Sequence, residues 1–139
     1  MPKRATAAED SRDIAKVLAA INKSLKTNLT FGNSDALQIG RIPTGMPAFD
    51  KILGGGLPRQ SVTELFGRQS TGKTYIAQRA IATAQDNGLT CAFIDAEHSY
   101  EPEWAKLSGV DVDSLIVSRP DTGEKALDIL LALCESHID

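Results

Sequence analysis

The chain has 139 residues, 42% hydrophobic and 24% charged, with a formal net charge of −3 at pH 7. This is the composition of an ordinary globular sequence of about one domain. It contains no run of eighteen apolar residues and no secretion-signal core, so a cytoplasmic chain without membrane contact is expected. Residues 1–30 carry six basic and three acidic groups and residues 31–139 nine and fifteen, so the acidic body shows no basic patch of the kind a dedicated DNA-binding surface presents.

In chain order, residues 1–9 are Ala- and charge-rich without a periodic apolar face and read as a disordered lead-in. Asp10 or Ser11 is expected to cap a helix in which Ile14, Val17, Leu18, Ile21 and Leu25 form one apolar stripe, with Lys16, Lys23 and Lys26 on the polar side. Taken alone, that stripe favours packing on its own domain over packing on a neighbouring subunit. Residues 27–35 read as a linker, dividing the chain into an N-terminal segment, 1–35, and a core, 36–139. A short strand is expected over residues 37–42. Pro43-Thr44-Gly45-Met46-Pro47 then breaks regular structure, residues 48–53 suggest a helical turn, and Gly54-Gly55-Gly56 reads as a stop or a flexible turn.

Residues 61–66 alternate as a strand would, and lead into Gly67-Arg68-Gln69-Ser70-Thr71-Gly72-Lys73-Thr74. The octapeptide fits G-x-x-x-x-G-K-[ST], the phosphate-binding P-loop. Its glycines let successive backbone N–H groups face one concavity, Lys73 can reach the β- and γ-phosphates, and the Thr74 hydroxyl can ligate Mg²⁺. Ile76, Ala77, Ala80, Ile81 and Ala84 recur with helical spacing after it, completing the strand, loop and helix order that distinguishes a P-loop from a chance glycine turn.

Asn87-Gly88 signals the helix stop, and residues 90–95 form a nearly continuous apolar run ending in Asp95, as a strand buried on both faces would. Residues 99–108 suggest a short helix, 111–113 a turn and 115–118 a third buried strand. Asp121 or Thr122 can cap a last helix with Leu127, Leu130, Leu131 and Cys134 on one face. Cys91 and Cys134 read as reduced, packed thiols. The alternation of strand and helix predicts an α/β fold, a parallel sheet with flanking helices, whose ligands bind at the carboxyl ends of strands. Glu97, just past such an end, could orient or deprotonate a water attacking a γ-phosphate; the plainer alternative is a solvated loop acid. Asp95 could cap the following turn, join the outer shell of a metal or simply end the strand.

Residues 93–98, Phe-Ile-Asp-Ala-Glu-His, and 118–124, Ser-Arg-Pro-Asp-Thr-Gly-Glu, resemble hallmark segments of the bacterial and phage RecA recombinase family. Pro43-Thr44-Gly45 and Gly55-Gly56-Leu57-Pro58 do so too, all in family order. The resemblance runs from about residue 10 to the end of the chain and implies a RecA-like P-loop NTPase core preceded by an amphipathic helix. It implies that residues 67–74 hold ATP or ADP with Mg²⁺, that Glu97 is the catalytic glutamate, and that Glu101 and Trp104 contact adenine where the family usually has Asp and Tyr. For Trp104 the alternative is a core aromatic. It further implies that the Ile14, Val17, Leu18, Ile21 and Leu25 stripe joins protomers head to tail into a filament on single-stranded DNA.

The family continues into an apolar strand ending in the Walker B aspartate, then into DNA-holding loops, whereas this sequence ends at Ser136-His137-Ile138-Asp139. A truncated, split or incomplete protein is therefore expected, marginally folded without the missing strands. Three readings follow: an ATP-dependent recombinase subunit, or its N-terminal piece, in homologous recombination and repair; a nucleotide-binding module that caps or regulates a filament without turnover; and, last, another P-loop enzyme such as a small-molecule kinase.

Overall fold

The computed structural model of the protein describes residues 7–136 and residue 138. The chain divides into two compact units, Met1–Ile39 and Gly40–Asp139. In the first, α1 (Ala7–Leu25) begins earlier than the sequence suggests, so Asp10 and Ser11 lie inside the helix instead of capping it. Ala7, Ala8 and Glu9 are strong helix formers and carry the helix back past both polar residues. They are thus not part of a disordered lead-in, whose residues 1–6 lie outside the described residues. Along the stripe, Ile14, Val17 and Leu25 are exposed, and Leu18 and Ile21 are half-buried.

Lys26, in a left-handed conformation at φ 50°, ends the helix. Asn22 then clasps the returning chain, its Nδ2 donating to the Leu29 carbonyl at 2.8 Å and its Oδ1 accepting from the Leu29 N–H at 2.6 Å. Ser34 caps a single 3-10 turn, Asp35–Leu37, by accepting from the Ala36 N–H. That local turn takes residue 37 out of the expected strand and leaves only β1 (Arg41–Ile42).

In the second unit, β1 pairs antiparallel with β2 (Leu57–Pro58) around α2 (Pro47–Ile52). Thr44 between them is fully buried, and Asp50 Oδ1 accepts from its N–H at 2.8 Å and its hydroxyl at 2.7 Å. The glycine triplet is a fixed feature instead of a loose turn. All three residues have positive φ, and a Cβ on Gly56 would collide with the Ile42 carbonyl.

Residues 61–66, expected to be the strand leading into the loop, form none. A strand exists through its ladder of hydrogen bonds, and no segment among the described residues pairs with this one. Its Val62 and Phe66 are 99% and 88% exposed. The chain re-enters regular structure at α3 (Lys73–Asp86), which stops at Asn87 and Gly88 as expected. β3 (Ala92–Ile94) and β4 (Ile116–Ser118) then pair in parallel, Ala92 with Ile116 and Ile94 with Ser118, with α4 (Pro102–Leu107) in the connection. The expected parallel sheet is thus represented by two strands.

Ala82, Ala84, Cys91, Tyr100, Ala105, Val110 and Leu115 form the buried core, with the Phe93 and Tyr100 rings 5.3 Å apart. This mixed helix and small-sheet arrangement leaves three expected burials unmet. β3, expected to be buried on both faces, is only half-buried at Ala92, Phe93 and Ile94. β4 keeps Ile116 and Val117 exposed, and α5 (Gly123–Glu135), capped by Thr122, presents Leu127, Leu130, Leu131 and Cys134 to solvent. Cys134 is therefore not the packed thiol the helical pattern suggests, whereas Cys91 is buried. The apolar periodicity is real, but nothing among the described residues covers that face of α5.

Candidate functional site

The loop at residues 67–74 is curled and pinned by its own side chains. Thr71 Oγ1 donates to the Arg68 carbonyl at 2.8 Å, and a Cβ on Gly67 would lie only 3.0 Å from that hydroxyl. Ser70 and Gly72 both take left-handed backbone conformations, φ 61° and 87°. A non-glycine residue held there is a local strain of the kind that gathers at functional loops, and alternation of hand is how backbone N–H groups come to face one concavity. Lys73 Nζ folds across the loop to donate to the carbonyls of Gly67, at 3.2 Å, and Arg68, at 3.0 Å. Gly72 is the N-cap of α3, and no side chain caps it. The first N–H groups of this fourteen-residue helix, with the positive end of its dipole, therefore adjoin the loop.

Thr74 lines two open hollows. One, of about 510 Å³, brings it together with Glu101 and Trp104. The other, of about 260 Å³, brings it together with Glu97 and Asp95. Trp104 is 64% exposed, which sets aside its alternative as a core aromatic. Gly67, Arg68, Gln69, Ser70, Thr71 and Gly72 form the loop itself, so the residues expected at a nucleotide site lie on the loop or line one of the two hollows.

Glu97 and Asp95, two residues apart, occupy opposite environments. Glu97 is exposed, and its carboxylate has no hydrogen bond or ion pair among the described residues. Asp95 is buried and accepts from the Ser99 N–H at 3.0 Å and the Tyr100 N–H at 2.9 Å, with Arg119 Nε 3.3 Å away. Burial alone would raise its pKa, but those two N–H groups, then the charges of Arg119 and His98, hold it below the ordinary carboxylate value. Arg119 also donates to the Tyr100 carbonyl at 2.6 Å, and the Asp95 N–H continues the ladder to Ser118 at 2.8 Å. Of the three roles open to Asp95, capping the turn after β3 is the one its contacts support. It holds the loop that carries Glu97.

Sequence reasoning missed Tyr75, Gln78, Ser99 and Ser108, which line the larger hollow. A signal existed for Gln78, a polar residue one helical turn before Ala82, and both are buried. For Ser108, at the end of α4, no sequence pattern marked it.

A family model of the RecA N-terminal domain matches residues 12–139. The chain belongs to the RecA family. It is 46% identical over 135 residues to Protein RecA of Cutibacterium acnes, covering 95% of this chain and 39% of that protein. The match to Protein RecA of Mycobacteroides abscessus is 47% with the same coverage, and that to Protein RecA of Saccharopolyspora erythraea is 51% over 109 residues, 78% of this chain and 32% of that protein. The chain thus spans about a third to two-fifths of the length of these RecA relatives. Among the described residues, no helix is long and apolar enough to cross a membrane.

Proposed function

We propose that this chain is the ATP-binding portion of a RecA-type recombinase, the core over residues 36–139 carrying a P-loop NTPase site and the segment over residues 1–35 linking protomers. The observation that carries the reading is the position of Thr74, at the start of α3 and on the wall of both hollows. A nucleotide held at residues 67–74 would find Glu101 and Trp104 on one side of Thr74 and Glu97 on the other.

Thr74 offers Mg²⁺ a single hydroxyl, and no group of three His, Cys, Asp or Glu able to hold a metal occurs among the described residues. Mg²⁺ typically keeps several waters and takes phosphate oxygens, so the Thr74 hydroxyl would be one ligand among these. When bound, it neutralises phosphate charge. The loop amides, the dipole of α3 and the Lys73 ammonium bind and orient the phosphates, and Lys73 exchanges its bonds to the Gly67 and Arg68 carbonyls for phosphate oxygens. The exposed carboxylate of Glu97 holds the attacking water and takes up its proton. The Trp104 indole offers a face on which a base stacks, and Glu101 accepts from an exocyclic amine.

In the whole protein, this turnover would depend on single-stranded DNA and serve homologous recombination and repair. The α1 stripe of Ile14, Val17, Leu18, Ile21 and Leu25 would join protomers head to tail. ATPase assays with and without single-stranded DNA, on the whole protein and on its Glu97→Gln variant, test this. The expected result is DNA-stimulated turnover of the whole protein that Glu97→Gln lowers by at least about a hundredfold with Mg·ATP binding retained. Binding with no turnover, together with dominant inhibition of a full-length relative, would favour instead a module that docks on a filament. The exposed apolar side chains of residues 62, 66, 127, 130 and 131 favour that second reading.

A further inference from the structure

Two polar side chains are buried where α3 meets the end of α4. Gln78 is 7% exposed and Ser108 is 3% exposed, and both line the larger hollow. The Ser108 hydroxyl donates to Gln78 Oε1 at 2.8 Å and lies 3.0 Å from the Trp104 carbonyl, within bonding reach of both. The Ser108 carbonyl accepts from Arg79 Nη1 at 2.9 Å. Adjacent residues of α3 therefore grip the one residue that ends α4. Helix α4 has only six residues and cannot hold its own position by helix propensity. An apolar pair would fill the same space without the cost of burying polar groups, but it would lack direction, whereas a satisfied hydrogen bond fixes one arrangement.

We infer that Gln78 and Ser108 are a positioning pair that fixes the α4 wall, and with it Trp104 and Glu101, relative to Thr74, and so sets the affinity for the nucleoside half of an adenine nucleotide. The inference rests on the nucleotide-site reading. It assigns the pair no contact with the phosphates, which lie with the loop and Lys73.

The test compares Mg·ATP with Mg·tripolyphosphate, titrated by calorimetry on the 139-residue chain and on Gln78→Leu, Ser108→Ala, the double variant and Ser108→Thr. Circular dichroism checks the fold of each, and where Gln78→Leu does not fold, Ser108→Ala and Ser108→Thr carry the test. Each disrupting single substitution is expected to weaken Mg·ATP roughly five- to fiftyfold, with tripolyphosphate changed less than about twofold. The double variant should be no weaker than the worse single one, since both break one bond, and Ser108→Thr should keep most of the affinity. Unchanged Mg·ATP affinity in the single variants, or equal weakening of both ligands, would overturn the inference. So would a wild-type chain that binds tripolyphosphate and ATP equally well, a result that leaves the phosphate loop standing. Failure of the wild-type chain to bind either ligand would bring down the nucleotide-site reading itself, and the pair's role with it.

Discussion

Replacing Asp95 by alanine removes the acceptor for two backbone N–H groups and the partner of Arg119. Hydrogen bonds to a charged acceptor contribute about 1.5–3 kcal/mol each, and a buried donor left unpaired costs about 1–3 kcal/mol. The Arg119 side chain is 49% exposed, so water screens its share of the ion pair and little is added for it. A loss of about 3 kcal/mol is therefore expected at pH 7. At the ordinary entropy of unfolding this lowers Tm by about 10–20 °C, and in a marginal domain it leaves little folded protein. Asp95→Asn, which keeps the shape and one acceptor, should cost roughly half as much. Because the folded carboxyl titrates below its ordinary value, its stabilisation is complete above about pH 4 and is lost as pH falls through the lower folded value. The gap between wild type and Asp95→Asn should accordingly close on acidification below pH 4. Thermal melts followed by circular dichroism at pH 7, 5 and 3 measure this. A Tm for Asp95→Ala within about 2 °C of wild type at pH 7 would refute the capping role.

Gly56→Ala should destabilise the chain by several kcal/mol, since its φ of 127° and the adjacent Ile42 carbonyl exclude a side chain, and urea unfolding will read the loss. Val62→Asp and Phe66→Asp should leave Tm within about 2 °C while reducing self-association and binding of a hydrophobic dye, because both side chains are almost wholly exposed. A large fall in Tm would mean that residues 61–66 pack in solution. Trp104 is the only tryptophan, so its fluorescence should change as Mg·ATP is added; a spectrum unmoved at saturation would place the base elsewhere.

Most local signals were legible. Thr122 as an N-cap, the Asn87-Gly88 stop and a helix after the glycine loop depend on neighbours in the chain and appear where the residues suggest, whereas the local caps at Asp10 and Ser11 were overridden by the helix formers before them. Elements that need distant partners were read less well. Residues 61–66 alternate like a strand, yet alternation supplies no hydrogen-bonding partner, and the apolar face of α5 likewise finds no cover among the described residues. At the candidate site, Thr74 is singled out by the loop spacing, Glu97 by its place past a strand end, and Glu101 and Trp104 by the family resemblance; the structure brings Thr74 to one hollow with Glu101 and Trp104 and to another with Glu97. Gln78 and Ser108 are thirty residues apart and meet only through packing, and the separation of Asp95 from Glu97 into a buried cap and an exposed acid comes from the Tyr100 turn and Arg119.

The most direct test of the account is equilibrium binding of Mg·ATP to the 139-residue chain and to Lys73→Ala, by calorimetry. The loop amides, α3 and Lys73 together predict saturable one-to-one binding that Lys73→Ala weakens about ten- to a hundredfold, the equivalent of one charge-assisted contact. No binding by the folded wild-type chain up to millimolar nucleotide, or equal affinity in Lys73→Ala, would contradict it.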